Sequence, residues 1–204
     1  MYVSRAINDN YHHGDLKAAL LDAAKRLIAK KGIDALSLRT IAAEVGVSHM
    51  APYAHFKNKS ELFKSVAADG FLKLSKKLQV IQLGINKPKD LVLLYGVAYI
   101  KFATNNPQLY KLMLGQASPE QSSDKTPTSP SEKTLYDASR KTYVLLRDCF
   151  KLNEADEKII NIQAQGAWAF VHGIASLMIT GQIVIDKKSS IKEFLNTATK
   201  AIYH

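Results

Sequence analysis

Cysteine is almost missing from this chain: Cys149 is the single thiol among 204 residues. One thiol closes no intramolecular disulfide, so packing must supply the stability, and a reducing, cytoplasmic setting is the expectation. Glycine and proline are sparse, at ten and six, and no β-branched run alternates with polar residues. These lacks argue against sheet and for helix. The opening MYVSRAINDNYHHGD has no apolar stretch of the signal-peptide kind. Enzyme signatures are missing too: no GxSxG elbow, CxxC pair, HExxH or P-loop occurs. Six histidines and one cysteine give no spacing for structural zinc. His12 and His13 would need His49 or His55 to hold a metal; exposure, or a place near phosphate, is the plainer reading. No metal, cofactor or catalytic residue is therefore expected. The nearest thing to a membrane span, GAWAFVHGIASLMITGQIVI at residues 166–185, is broken by His172, Ser176, Thr180 and Gln182. It reads as a helix buried on most sides.

Acidic residues are in short supply. Eighteen Asp and Glu face 28 Lys and Arg, a formal net charge of +10. Such a balance favours an anionic partner: nucleic acid, a membrane surface or an acidic ligand. The excess is spread along the chain, with ten cations against six acids in residues 1–64 and eighteen against twelve in the rest. Charge alone locates no site. Four of the six histidines do fall in those first 64 residues.

What the chain does have is apolar spacing of three and four almost throughout, which predicts an all-α fold of about nine helices. Asp15 can cap a first helix with Leu16, Leu20, Ala23 and Leu27 on one face, ending at Lys31-Gly32. Ser37 can cap a second, with Leu36 and Ile41 at the spacing of a hydrophobic staple, and Gly46 stops it. Ser48 can cap a short third helix. Asn58 and Glu61 have capping-box spacing and open a long helix over about 59–83. Further helices are expected over about 88–104, from Pro107 with Asn106 as cap, and over 133–150, 154–179 and 191–202. Residues 116–133, QASPEQSSDKTPTSPSEK, read as a flexible loop. The plan is an N-terminal three-helix unit at 1–59 and a larger helical bundle at 60–204.

The stretch SLRTIAAEVGVSHMAPYAHFKNKSELF, residues 37–63, has the outline of a helix-turn-helix. Leu38, Ile41, Ala42 and Val45 share a face, Gly46 supplies the tight turn, and Val47 and Phe56 bracket the second element. Ala42 and Ala43 are small enough for a close crossing. In this motif the N-terminal residues of the second helix meet base edges. Here they are Ser48, His49, Met50 and Ala51, where His49 can bond a base edge and Met50 and Ala51 can touch a thymine methyl. Arg39, Thr40, Tyr53, His55, Lys57 and Lys59 are suited to phosphate, fixing position without reading sequence. Each also has an ordinary structural reading, as a core aromatic or a solvated charge; the joint pattern favours double-stranded DNA.

Those residues resemble the DNA-binding domain of the tetracycline-repressor (TetR) family. The match runs from Leu20 to Phe63 through Ala23-Ala24, Gly32, Leu38-Arg39-Thr40-Ile41-Ala42, Val45-Gly46-Val47-Ser48, Tyr53-Ala54-His55-Phe56 and Lys59-Ser60-Glu61-Leu62-Phe63. Trp168-Ala169-Phe170-Val171-His172-Gly173 looks like the signature of a WHG-type C-terminal domain, and Tyr11-His12-His13-Gly14-Asp15-Leu16 and Ala51-Pro52-Tyr53 suit that branch. Pro52 departs from commoner members; four residues after the expected cap it lacks the amide that would bond Ser48, so the reading helix should be distorted or begin late.

The resemblance implies a homodimer that places two reading heads on a near-palindromic operator, usually as a repressor, released by a small molecule in the C-terminal domain. It implies no membrane partner. The expected effector pocket draws on Phe102, Tyr110, Met113, Tyr143, Trp168, His172 and Met178, although all of these could merely fill the core. Trp168 and His172 share a helix face, and Gly173 would allow a close helix approach. The expected dimer surface uses Ala164, Ala167, Ile174, Leu177, Phe194, Leu195 and Ala198 on the last two long helices. Two other classes compete: an enzyme, which lacks a polar constellation, and a protein that binds DNA or a membrane surface by charge alone.

Overall fold

Ser37 shows how the local signals become structure. Its extended backbone (φ −148°, ψ 161°) and its side chain accept the first turn of the helix Leu38–Val45, with Thr40 N–H donating to Ser37 Oγ at 3.1 Å. Thr40 closes the box in the other direction, its hydroxyl accepting from Ser37 N–H at 2.9 Å. Leu36 and Ile41, the staple pair, are both fully buried. At the far end Gly46 takes φ 80°, the left-handed conformation that costs glycine least, and returns its N–H to the carbonyl of Ala42.

The computed structural model describes residues 16–84, 88–116, 127–186 and 189–203. Asp15, His12, His13 and most of the Ser/Pro/Thr-rich segment lie outside them. Eight α-helices and two short 3-10 turns follow in order: α1 (Leu16–Lys31), the turn Ile33–Ala35, α2 (Leu38–Val45), the turn Ala51–Ala54, α3 (Lys59–Gln82), α4 (Pro88–Asn105), α5 (Pro107–Gln116), α6 (Pro130–Phe150), α7 (Glu157–Ile179) and α8 (Ile191–Tyr203). No strand occurs among the described residues.

Four details differ from expectation. The short third helix is not α-helical but a single 3-10 turn, and Ser48 does not cap it with its side chain; the turn begins after Met50, with Pro52 in its first positions. Proline's lack of an N–H is harmless there, and the ring is buried. Asn58 does cap α3, accepting from Glu61 N–H at 3.0 Å. The Glu61 carboxylate, however, turns to the Ser131 hydroxyl at the start of α6, and that bond holds its pKa below the ordinary value. Asn106 sends its side-chain amide back to the Phe102 carbonyl at 2.8 Å, pinning the corner between α4 and α5. Finally, α6 begins at Pro130, three residues before the expected start, because Ser129 caps it by accepting from Glu132 N–H.

Two hydrophobic clusters divide the molecule. The smaller is the head: Leu20, Ala24, Leu27 and Ile28 from α1, Leu36, Leu38 and Ile41 around α2, Phe56, and Leu62 and Val66 at the start of α3. Only Ala42 of the two small α2 residues is buried; Ala43 faces out. Phe56 is 2% exposed, and burying a ring of that size contributes roughly 1.5–3 kcal/mol. The larger cluster takes Ala67, Ala68, Leu74 and Leu78 of α3 together with residues from α4 to α8. The division therefore falls inside α3, between Val66 and Ala67. Lys25 of α1 reinforces the joint, bonding Asp69 of α3 at 2.8 Å while also pairing with Asp22. Burial alone would lower its pKa, but the two carboxylates outweigh burial and raise it.

Candidate nucleic-acid interface and effector cavity

The reading segment is a polar loop laid over the dry head core. Val47 and Phe56 anchor it from below, and between them Ser48, His49, Met50, Tyr53 and His55 are exposed, with Ala51 half-buried. Met50 is 71% exposed and Tyr53 50%, which core aromatics or core thioethers would not be. Arg39 is also exposed, and among the described residues no carboxylate lies within ion-pair range of it. Lys57 is likewise exposed and makes no ion pair among the described residues, while Lys59 holds its ammonium 5.1 Å from the Phe63 ring centre. One acid, Glu44, occurs between residues 37 and 60, and Arg26 neutralises it at 3.6 Å. Thr40 is exposed too, but its hydroxyl is committed to the cap and to the Ala35 carbonyl. Its phosphate role would have to come from elsewhere on the residue. The surface is cationic, apolar at two points and free of competing carboxylate, as a duplex requires.

The second site is a cavity of about 790 Å³ in the bundle, within the range of small-molecule pockets. Three helices contribute stripes to it. From α4 come Val92, Tyr95, Gly96 and Tyr99; from α6 Tyr136, Ser139, Arg140, Tyr143 and Leu146; from α7 Gln165, Trp168, Val171 and His172. Tyr143, Trp168 and His172 were expected there. Phe102, Tyr110 and Met113 were too, but these are buried in the core instead; Met113 packs its sulfur over Gly70 of α3. Met178 is half-buried against the core and does not line the cavity. The stripes that sequence reasoning missed were nonetheless visible: Tyr95 and Tyr99 are four apart, and residues 136, 139, 140 and 143 follow helical spacing.

Three polar rings meet where the cavity borders the core, Tyr99 and His172 lining the cavity and Tyr110 lying behind them. Tyr99 Oη lies 3.1 Å from Tyr110 Oη and 3.2 Å from His172 Nδ1, and Tyr110 Oη lies 2.9 Å from the same nitrogen. Burial holds His172 below its ordinary pKa and drives both tyrosines upward, Tyr99 most. All three are therefore neutral at pH 7, and the imidazole can accept a proton from one hydroxyl only at a time. Trp168 stands over His172 with ring centres 5.6 Å apart. Nearby, the Tyr95 hydroxyl is buried without a hydrogen-bond partner among the described residues, and burial pushes its pKa up to about 12.

Comparison with known proteins agrees with this two-part layout. The family model for bacterial regulatory proteins of the tetR family matches residues 20–66, and that for the tetracyclin repressor-like C-terminal domain matches residues 92–201. This chain belongs to the TetR family. The first of these models describes bacterial regulatory proteins, and the curated relatives below are named as HTH-type transcriptional regulators. The nicotine-responsive transcriptional repressor HdnoR of Paenarthrobacter nicotinovorans is 44% identical over 55 residues, 27% of this chain and 28% of that relative. An uncharacterised HTH-type transcriptional regulator of Haemophilus influenzae is 28% identical over 103 residues, half of each chain. The chain thus spans half or less of the curated relatives it matches. A solved structure of a protein of unknown function from Rhodococcus sp. RHA1 shares the fold with a TM-score of 0.75 at 28% identity, covering 95% of this chain and 96% of that one. The narrower WHG-type reading rests on the sequence at residues 168–173, 11–16 and 51–53.

Several residues expected at the dimer surface of this TetR-family chain are already occupied. Ala164, Ile174 and Leu195 are buried within the single chain at 0%, 6% and 2% exposure, so they offer nothing to a second copy. Ala167 lines the cavity. Phe194 is half-buried against the bundle core and Ala198 is half-buried on the same helix; Leu177 is exposed. The open face of α7 is a different one: Ile159, Ile162, Gly166, Ala169 and Leu177 recur at helical spacing and are all exposed. Gly173 joins that stripe, and a Cβ built on it would meet nothing within 4 Å. The close approaches that need glycine lie elsewhere, at Gly70 under Met113 and at Gly96 under Val171 and Leu195. The segment 166–185 is not a single buried helix either; α7 ends at Ile179, and Gly181 turns the chain with φ 76°. No described helix is long and apolar enough to cross a membrane.

Proposed function

We propose that this regulator is a homodimeric repressor, holding two reading segments on a near-palindromic operator and releasing them when a small molecule enters the cavity. One observation carries the reading. The helix α5 belongs to both regions: Tyr110 bonds the cavity-wall residue His172, and Leu112, two residues on, is buried in the head cluster. A ligand that repositions His172 therefore acts on a helix whose next turn is part of the head's core. Release needs only a few kcal/mol of differential affinity between the two head positions.

Ser48, His49, Met50 and Ala51 are assigned to base edges, and Arg39, Tyr53, His55, Lys57 and Lys59 to phosphates, with Thr40 contributing its place at the head of α2. Two copies would pair through the exposed α7 stripe. Ile159, Ile162 and Leu177 supply apolar area and the small residues between them allow the helices to approach. The experiment titrates the purified protein with the duplex upstream of its own gene and with a scrambled duplex, across salt. A dedicated repressor prefers one palindrome by about 4–10 kcal/mol over random DNA. Equal affinity with a steep salt slope would mean binding by charge alone, and indifference to both duplexes would end the nucleic-acid reading.

A further inference from the structure

The cavity's chemistry has a sign. Among its lining residues one side chain is ionic, Arg140 on α6, and no Asp or Glu takes part. Arg140 is exposed, and its one hydrogen bond among the described residues is a long 3.3 Å contact from Nη1 to the Tyr136 hydroxyl. Among the described residues no carboxylate lies within ion-pair range of it. Arg147, two turns later on the same helix, shows the usual fate of a guanidinium in this bundle: it is held by Asn161 at 2.7 Å, by Glu157 and by Asp148. Arg140 therefore keeps most of a planar donor fork free beside an apolar cavity. That fork matches a carboxylate or sulfonate with two parallel hydrogen bonds.

The rest of the lining specifies the body of the ligand. Phe71, Tyr95, Tyr99, Tyr136, Tyr143 and Trp168 present rings to the same space. Aromatic faces also attract cations, so rings alone leave the sign open. The guanidinium decides it, because a cationic ligand would meet Arg140 with no acid in the lining to offset the repulsion.

We infer that the cavity selects an aromatic anion: a planar apolar body stacked among the rings, with one carboxylate or sulfonate held by Arg140 at the mouth. The inference rests on the cavity being the effector site, and it adds the charge and shape of what enters.

The chain has one tryptophan, and it lines the cavity, so Trp168 emission reports occupancy directly. Two probes share an aromatic body and differ in charge: anilinonaphthalene sulfonate, an anion, and phenylnaphthylamine, which is neutral. In full-length protein at low salt the anion should quench Trp168 with a Kd on the order of tenfold lower than the neutral probe. Arg140→Gln should erase that preference while the neutral probe's Kd stays within about twofold; Arg140→Lys should keep part of it. Equal affinity of the two probes for the unaltered protein, or a preference that survives Arg140→Gln, overturns the inference. Ser139→Phe, which fills the cavity from α6, should abolish quenching by both. If neither probe quenches Trp168, or Ser139→Phe changes nothing, the effector reading fails along with the anion. If the neutral probe alone binds, the effector reading stands and the anion is refuted.

Discussion

The head and the bundle place their polar groups in opposite ways. The head cluster is aliphatic apart from Phe56, and its hydrogen-bonding side chains lie outside, on the reading loop and in the Ser37–Thr40 cap. The bundle carries polar groups inward: Ser75 and Thr142 bond at 2.7 Å in the core, and the Tyr99, Tyr110 and His172 group lies where the cavity borders the core. A dry core has one good packing and moves as a block. A ring of three neutral groups has more than one hydrogen-bond arrangement, and a ligand atom can compete for any of them. The difference teaches where regulation can enter. On the proposed function the head is the part carried and the bundle the part rearranged.

Breaking the head should have the largest effect. Phe56→Ala empties the centre of the smaller cluster and should cost about 3–5 kcal/mol, read by thermal unfolding, with operator binding lost. A variant that kept full stability would show that the reading loop does not rest on that core. Next come the outward groups. His49→Ala should cost about 1 kcal/mol on the operator and less on random duplex, whereas Tyr53→Ala should weaken both alike. Equal losses for the two substitutions, measured by anisotropy titration, would remove the distinction between reading and positioning.

Within the bundle, Tyr110→Phe deletes the core hydroxyl that bonds the cavity-wall residue His172. It should cost about 1 kcal/mol of stability and leave operator affinity within a few-fold, yet blunt release by any cavity ligand. Undiminished release would show that α5 is driven by something other than His172. The smallest effect concerns pH. Burial lowers the His172 pKa below 6.5, so the unfolded chain takes the proton first as pH falls. Stability that is fully present above about 6.5 is then lost progressively through the depressed folded pKa. His172→Gln should flatten that part of the curve; an unchanged slope would mean other groups govern it.

How much was legible depended on range along the chain. The α2 cap, its staple and the Gly46 turn are set by residues within ten positions of one another, and sequence spacing located each of them. The reading loop was half legible: Pro52 signalled a disturbed helix, but the 3-10 geometry starting at Ala51 and the engagement of the Thr40 hydroxyl needed the folded chain. The cavity was less legible. Trp168, His172 and Tyr143 were found, whereas Phe102, Tyr110 and Met113 have the same residue character and point into the core. Nothing local separates an aromatic ring facing a void from one facing a neighbour. The same ambiguity affected α7, whose Ala164 and Ile174 pack against their own chain while Ile159 and Ile162 do not.

From its residues alone the chain was bound to be all-helical, with a basic, Gly-hinged helical pair near its start, because periodicity, caps and turns act between neighbours. Only the tertiary structure could decide that Tyr110 meets His172 across 62 positions, that Leu112 is shared with the head, and that Arg140 is left without an acid among the described residues. Those pairings depend on how whole helices are rotated and laid together, and helix rotation is settled by the summed burial of many side chains rather than by any one of them.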